Sequence, residues 1–291
     1  MTEIRLPVSA IVLTLNEEIN LAQCLESLAN WVGEIFVIDS GSTDGTLAIA
    51  DRFGARIVSH PFENYAQQRN WAQSAVPLQY EWVFHIDADE RVTPELEKSL
   101  RDFFAHENAS QYHGAVIARR TVFWGKAILH GGHYPAYHLR LFRHAYGKSE
   151  DRLYDQHFVV QGQTKILDGD LLDLITSNLT TWTIRHARWG ELEAQEKFQT
   201  ARDGVRVEPN RRGTPIEQRR WLRASVYERA PLFWRALAYF LYRYFLRLGF
   251  LDGVEGLVFH FLQGFWFRFY VDAKIYELQR SAARTMEHDP F

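Results

Sequence analysis

The feature that most constrains this chain is the alternation of short apolar runs with helix-forming segments over its first hundred residues. Val8–Leu15 (VSAIVLTL) is β-branched and almost continuously apolar, the pattern of a strand covered on both faces. Leu21, Leu25 and Leu28 then recur at helical spacing. Asn16 before them predicts a helix cap, with Glu17 and Glu18 in a first turn that the helix dipole favours. A second strand, Glu34–Ile38, ends at Asp39 and leads into a polar turn, Ser40–Gly45, and a helix that stops near Gly54. Arg56–Val58 predicts a third strand, Tyr65–Ala75 a helix, and Trp82–Ile86 a fourth strand that ends in Asp87-Ala88-Asp89-Glu90. Thr93-Pro94 opens the next helix with a capping hydroxyl and a proline at its first position.

Strands alternating with helices predict an α/β fold whose sheet is mostly parallel and flanked by helices. Ligands bind such sheets beyond the carboxyl ends of the strands. Asn16, Asp39 and Asp87 all fall at those ends, so three polar strand ends predict one site.

Further along, Ala115–Ile117 and Phe158–Val160 predict short strands among loops rich in His, Gly and Tyr, and Glu191–Gly204 predicts a helix. Val207–Gly213 is polar and basic, with Pro and Gly, and reads as a linker. The expected organisation is a catalytic domain over 1–206, its nucleotide-binding half 1–105 and its acceptor half 106–206. A linker over 207–215 and an aromatic, arginine-rich helical region over 216–291 follow.

A net charge of −3 gives no case for nucleic-acid binding, which normally shows as a strongly basic domain or stripe. The single cysteine, Cys24, permits no intrachain disulfide and, between Leu21 and Leu25, reads as a core residue. Met1–Pro7 lacks the basic-then-apolar pattern of a signal peptide, and no apolar tract reaches the roughly 18–20 residues of a spanning helix. A cytoplasmic location is expected.

Asp87-Ala88-Asp89 carries the most specific chemistry. Two carboxylates one residue apart at a strand mouth can grip a hard divalent cation and leave coordination positions open. Such a cation can neutralise the charge that builds on a departing diphosphate. The turn Ser40–Gly45 has neither the G-x-x-x-x-G-K-[ST] nor the G-x-G-x-x-G spacing, which disfavours an ATPase or a dehydrogenase.

Taken together, SAIVLTLNEE, FVIDSGSTDGT, QQRNWA and FHIDADERVTPE resemble the inverting GT-A glycosyltransferases of family 2, nearest to the bacterial branch that builds lipopolysaccharide cores and other surface polysaccharides. The resemblance implies that the first strand end (Leu15, Asn16, Glu17) and Asp39 hold the nucleotide, with Arg69 near the base and phosphates. It implies that Asp87-Ala88-Asp89 binds ribose and metal, that the cation is Mg²⁺ or Mn²⁺, and that the donor is a nucleotide sugar, in many relatives a UDP-sugar. A nucleotidyltransferase on a similar fold would carry a glycine-rich loop where this chain reads LTLNEE.

An inverting transfer needs a base for the acceptor hydroxyl. The stretch that matches the family's base reads Tyr154-Asp155-Gln156-His157, with Gln156 where relatives of this branch carry glutamate. Asp155 is the expected base, with Glu150, Asp151 and Glu191 in reserve, and His157 is either a third metal ligand or a loop histidine. Gly131-Gly132-His133-Tyr134-Pro135 and Arg140-Leu141-Phe142-Arg143 resemble the acceptor-side loop, which assigns Gly132, His133, Tyr134 and Arg140 to a saccharide or lipid-linked acceptor.

Arg235, Tyr239, Arg243 and Arg247 fall near one helical face, with Leu237, Phe240, Leu241, Tyr244, Phe245 and Leu248 around the rest. Basic residues among aromatics suit the surface of an anionic membrane. The expected partners are therefore a nucleotide-sugar donor, the acceptor, and the inner face of the plasma membrane, held peripherally or monotopically; a homo-oligomer would use the same face. The rival to the enzyme is an inactive glycosyltransferase-like subunit that binds nucleotide sugar or scaffolds a membrane complex.

Overall fold

A computed structural model describes residues 4–105, 109–198 and 205–288. The first half runs β1 (Leu6–Thr14), α1 (Leu21–Ala29), β2 (Val32–Asp39), α2 (Thr46–Arg52), β3 (Arg56–Ser59), α3 (Tyr65–Ala75), β4 (Trp82–Asp87), β5 (Glu90–Val92) and α4 (Pro94–Ala105). Strands then dominate: β6 (Gly114–Phe123), β7 (Lys126–Ala127), β8 (Ala136–Arg143), β9 (Gly147–Ser149), β10 (Phe158–Val160) and β11 (Thr164–Ile175). The remainder is helical, with α5 (Leu179–Phe198), α6 (Pro215–Leu222), α7 (Trp234–Leu241), α8 (Gly253–Phe259) and α9 (Phe267–His288). π-helical turns extend α6, α7 and α8.

One sheet carries nine strands in the order β3-β2-β1-β4-β8-β6-β11-β5, with β7 on β6. β3, β2, β1 and β4 are parallel. β8 joins β4 antiparallel, and β6 pairs with β11 in parallel. The α/β class expected from the alternation is the class observed. Val8, Ala10 and Val12 pack against α1 and α4 on one face, and Ile11 packs with Phe36, Ile38 and Ala72 on the other, so β1 is apolar on both faces because both are covered. Cys24 is fully buried in this core.

Several local readings need correction. Asn16 caps no helix: α1 begins at Leu21 behind Asn20, and Asn16 lies in the left-handed region at φ 55°. Its side-chain oxygen instead accepts from the Thr43 N–H at 2.8 Å, and its own N–H donates to Ser42 Oγ at 2.8 Å. The backbone of Glu17 and Glu18 likewise donates to Thr46 Oγ1 and Asp44 Oδ2, so the loops after β1 and β2 hold one another. A left-handed asparagine suits a loop, where its side chain bonds locally, better than a cap.

β8 and β11 gave little strand signal because each mixes arginine or aspartate into its apolar positions (AYHLRLFR, TKILDGDLLDLI). Of those charges, Arg140 and Asp173 face the site. α5 begins at Leu179 rather than Glu191, and 199–204 lie outside the described residues.

Two of the three arginines expected on one face turn inward, while Arg247 stays exposed. Arg235 and Arg243 are buried, while Trp234, Leu241, Phe245 and Leu246 are exposed. Asp272, fully buried on α9, explains the first: its Oδ1 accepts from Arg235 Nε at 2.8 Å and Nη2 at 2.5 Å, and its Oδ2 accepts from the Phe233 N–H at 2.8 Å. A buried guanidinium needs such a carboxylate. Among the described residues no helix is long and apolar enough to cross a membrane.

Candidate active site

Strand register brings the polar ends together. Thr14 is paired with Asp39, and Leu13 with both Ile38 and Asp87, so Asp39 and Asp87 flank the end of β1 at one level. On the far side β11 pairs antiparallel with β5, setting Asp173 opposite Glu90.

Asp87 is clamped by two arginines. Arg69 Nη2, from α3, donates to its Oδ1 at 3.1 Å, and Arg140 Nη2, from β8, donates to its Oδ2 at 3.1 Å. Burial alone would raise this carboxyl's pKa, but the two guanidinium charges outweigh it and hold it well below the ordinary carboxylate range. The same Arg140 nitrogen donates to Glu90 Oε1 at 2.5 Å, and the Asp87 N–H donates to Glu90 Oε2 at 3.0 Å. Burial dominates at Glu90, whose pKa is pushed up to about 7.

Asp89 is in the opposite state. Its carboxylate makes no hydrogen bond or ion pair among the described residues. Burial, then repulsion from Asp173, Asp87, Glu90 and Glu17, pushes its pKa well above the usual range. An unpaired carboxylate amid four others is a place that a divalent cation would stabilise. Asp87 and Asp89 alone would supply two ligands, which leaves positions open for diphosphate oxygens and water, the habit of Mg²⁺ and Mn²⁺ sites. The residues present therefore fit a cation.

His157 does not join them, since no three His, Cys, Asp or Glu side chains form a metal-holding group among the described residues. It stacks on His138 at 5.2 Å, and its Nε2 lies 3.7 Å from Asp155 Oδ1. The chain offers two carboxylates where the sequence reading allowed a third ligand.

Asp39 is 2% exposed and saturated by its own turn. Its Oδ2 accepts from the Gly41 and Ser42 N–H groups, both at 2.9 Å, and its Oδ1 from Ser42 Oγ at 2.5 Å and Thr14 Oγ1 at 3.2 Å. A carboxylate has about four lone-pair positions, and four donors fill them. Asp39 thus builds the loop beside which a nucleotide would lie, with exposed Leu15 and Asn16 at the loop's edge. Ala88 is buried between the two aspartates. Glu17 bonds Asn20 Nδ2 at 2.7 Å, and burial raises its pKa.

Two of the expected acceptor residues turn elsewhere. Arg140 serves Asp87 and Glu90, and the Tyr134 hydroxyl donates to Asp170 Oδ1 on β11 at 2.9 Å. His133 Nε2 lies 2.9 Å from Thr121 Oγ1, and burial holds its pKa well below the usual range. Gly131 and Gly132 have φ of 68° and 65°. A Cβ on Gly131 would fall 2.3 Å from His260, so glycine is required there on both counts.

Asp155, also left-handed at φ 55°, presents Oδ2 to Arg220 Nη1 and Arg223 Nη1, both at 3.1 Å. Burial opposes its ionisation, but Arg220 and Arg223 hold it well below the carboxylate range. Its Oδ1 carries neither arginine. Of the reserve bases, Glu150 is buried against Arg220, whereas Glu191 is half exposed beside Lys274 on the far helices. Gln156 bonds the Arg152 carbonyl through Nε2. Glu90, Arg119 and Asp173 were missed by sequence reading; the only available signal was their placement on strands that end at the site.

Residues 9–164 match the model of the Glycosyl transferase family 2. The chain belongs to this family. An uncharacterized glycosyltransferase of Rickettsia felis is 37% identical over 105 residues, 36% of this chain and 36% of that protein. The chain thus spans little more than a third of the Rickettsia proteins that it matches. The lipopolysaccharide core biosynthesis glycosyltransferase LpsC of Rhizobium meliloti is 28% identical over 302 residues, 96% of each chain. Glucosyl-3-phosphoglycerate synthase from Mycobacterium tuberculosis, solved with Mn²⁺, UDP and glucosyl-3-phosphoglycerate, aligns with a TM-score of 0.31 at 22% identity, over 40% of this chain and 44% of that one.

Proposed function

We propose that this family 2 chain is a metal-dependent inverting glycosyltransferase that moves a sugar from a nucleoside-diphosphate donor, a UDP-sugar, to a saccharide or lipid-linked acceptor in surface-polysaccharide or lipopolysaccharide synthesis. The observation that carries this reading is the unpaired Asp89 carboxylate beside the arginine-clamped Asp87 at the end of β4. Asp87 and Asp89 would hold Mg²⁺ or Mn²⁺, which when bound supplies charge neutralisation for the departing diphosphate. The likeness over the whole length of LpsC supports the acceptor class.

The acceptor oxygen attacks the anomeric carbon as the bond from that carbon to the diphosphate oxygen breaks. Asp155 takes the hydroxyl proton on Oδ1, the oxygen that its arginines leave free. The clamp keeps the carboxylate ionised and aimed, and weakens it as a base, so its contribution lies in position.

Calorimetry of UDP with and without Mn²⁺, on wild type and Asp89→Ala, tests the donor site. Metal-dependent binding that vanishes in the variant is expected; a wild type that ignores UDP in the presence of metal overturns the UDP reading. Turnover that survives Asp155→Asn would remove Asp155 as the base.

The apolar face of the C-terminal helices is proposed to lie in the surface of the cytoplasmic membrane leaflet. Leu246 is 76% exposed and Val254 69%, and Leu241, Phe245, Phe250 and Phe261 lie exposed between their helices. The correction to the arginines alters the mode: insertion of apolar side chains, rather than a basic face, would supply the affinity. Flotation with liposomes is the test, with Phe245→Ser/Leu246→Ser expected to abolish it. A wild-type dimer that never floats would assign the face to a second copy.

A further inference from the structure

The loop between β7 and β8 is held from one side by the C-terminal helices. Asp252, 2% exposed at the start of α8, takes three bonds from it. Its Oδ1 accepts from the Leu129 N–H at 3.3 Å and from the His130 ring Nδ1 at 2.6 Å, and its Oδ2 from the His130 N–H at 3.0 Å. Gly131 is gripped at both of its backbone groups. Its carbonyl accepts from Arg243 Nε at 2.8 Å, and its N–H donates to the Arg247 carbonyl at 2.8 Å. A buried carboxylate fixes the backbone that satisfies it, because any donor that leaves strands a charge away from water.

His133 leaves the other end of this loop toward the cation site. Its ring meets Phe259 of α8 edge-on at 4.8 Å, and its Nε2 lies 2.9 Å from Thr121 Oγ1 on β6. Thr121 Oγ1 in turn donates to Asp173 Oδ2 at 3.0 Å. A hydroxyl has one proton. Since that proton goes to Asp173, His133 donates from Nε2, and burial keeps the ring neutral in that one tautomer. Asp173 stands beside Asp89, because the N–H of the next residue, Leu174, donates to the Asp89 carbonyl at 3.0 Å. Asp173 also has a competing partner. Arg119 Nε lies 3.7 Å from the same Oδ2, enclosed and with no hydrogen-bond acceptor among the described residues. The Thr121 hydroxyl therefore decides whether the Asp173 charge stays beside Asp89 or closes on Arg119.

We propose that Asp252 is a positioning residue of the cation site: by holding residues 129–131 it keeps His133 on Thr121, and Thr121 keeps Asp173 beside Asp89 and away from Arg119. This rests on the reading of Asp87 and Asp89 as the cation site, and it adds a requirement on the helical region. Asp173 completes no group of three metal-holding side chains among the described residues, so its part is that of an outer carboxylate. It contributes negative potential to a cation held by the two aspartates and leaves their coordination as it is. Broken at Asp252 or at Thr121, the chain of bonds lets Asp173 move to Arg119, and the cation is held less tightly.

Mn²⁺ alone is the probe, its free concentration read by electron paramagnetic resonance in titrations of wild type, Asp252→Asn, Thr121→Val, the double variant and Asp89→Ala. Each of the first two variants is expected to bind Mn²⁺ about tenfold more weakly than wild type. The double variant should bind it no more weakly than Thr121→Val. A purely structural role for Asp252 would not produce that result, since independent losses add. Thr121→Ser, which keeps the hydroxyl, should bind as wild type does. Losses that add in the double variant, or an Asp252→Asn chain with wild-type affinity, overturn the proposal. If Asp252→Asn does not fold, His130→Ala takes its place in the cycle, because that side chain is 39% exposed and only its ring bond to Asp252 is removed. Wild type that holds no Mn²⁺, or Asp89→Ala that holds it equally well, removes the cation site and the proposal with it. That outcome is distinct from an additive cycle around an intact site, which removes the role of Asp252 alone.

Discussion

Arg140 Nη2 lies 2.5 Å from Glu90 Oε1 inside the sheet, and the same nitrogen reaches Asp87 Oδ2 at 3.1 Å. One guanidinium thus holds together the strand end that carries the two aspartates and the short strand that follows it. Arg140→Met should destabilise the chain by about 3 kcal/mol, because Glu90 would be left buried with only Arg119 at 3.9 Å and Asp87 would keep Arg69 alone. Glu90→Gln in that background should recover part of the loss by removing one of those charges. Urea midpoints of the four chains of this cycle measure it; a fully additive result would mean that the pair is not coupled.

Asp272 and Arg235 make the corresponding pair among the helices. Asp272→Ala strands Arg235 and also frees the Phe233 N–H, whose residue sits in the left-handed region at φ 68°. A loss of about 3–5 kcal/mol is expected, read as a drop in thermal midpoint, whereas Glu191→Ala, half exposed on α5, should change it little.

Gly169 sits at φ +87°, where the pairing register of β11 with β6 shifts, and a Cβ there would fall 2.2 Å from the Leu96 amide nitrogen. Gly169→Ala should cost about 2 kcal/mol or more from backbone strain and the clash with α4. Gly54, at φ +67° with open space around its Cβ position, is the control, and Gly54→Ala should cost about 1–2 kcal/mol from backbone strain alone. Equal losses at the two sites would refute the packing argument.

His186, stacked on Trp182 and buried, has its pKa pushed down to about 4 by burial. Between pH 6.5 and 4 the unfolded chain therefore binds a proton that the folded chain refuses. Stability from this group is complete above pH 6.5 and declines as pH falls toward 4, by at most about 3 kcal/mol. His260, also pushed to about 4 by burial, adds in the same direction. His186→Phe should flatten the acid branch of a stability–pH curve measured between pH 7 and 4.5; an unchanged slope would assign that branch elsewhere.

The first hundred residues announced their own architecture because β1, β2 and β4 are buried on both faces and α1 and α4 each present one apolar stripe. Val8–Leu15 and Leu21, Leu25 and Leu28 show this directly, and Tyr65–Ala75 was legible to the residue. Asp87 and Asp89 stood out in the sequence because the pair falls at a strand end, as Asn16 and Asp39 do. β8 and β11 were not, since they carry arginine and aspartate that local pattern assigns to solvent.

Sequence by itself therefore determined the α/β class, the level at which polar strand ends meet, and the dense aromatic content of the last third. Tertiary structure alone decided which charges face one another. It turned Arg140 from the acceptor loop to Asp87 and Glu90, spent Asp39 on its own turn, and drew Arg235 inward to Asp272. Apolar periodicity is a local property of a segment, read every two or 3.6 residues. A charge is settled by the partner that comes to it from elsewhere in the chain, and whether that partner exists is known only when the chain has folded.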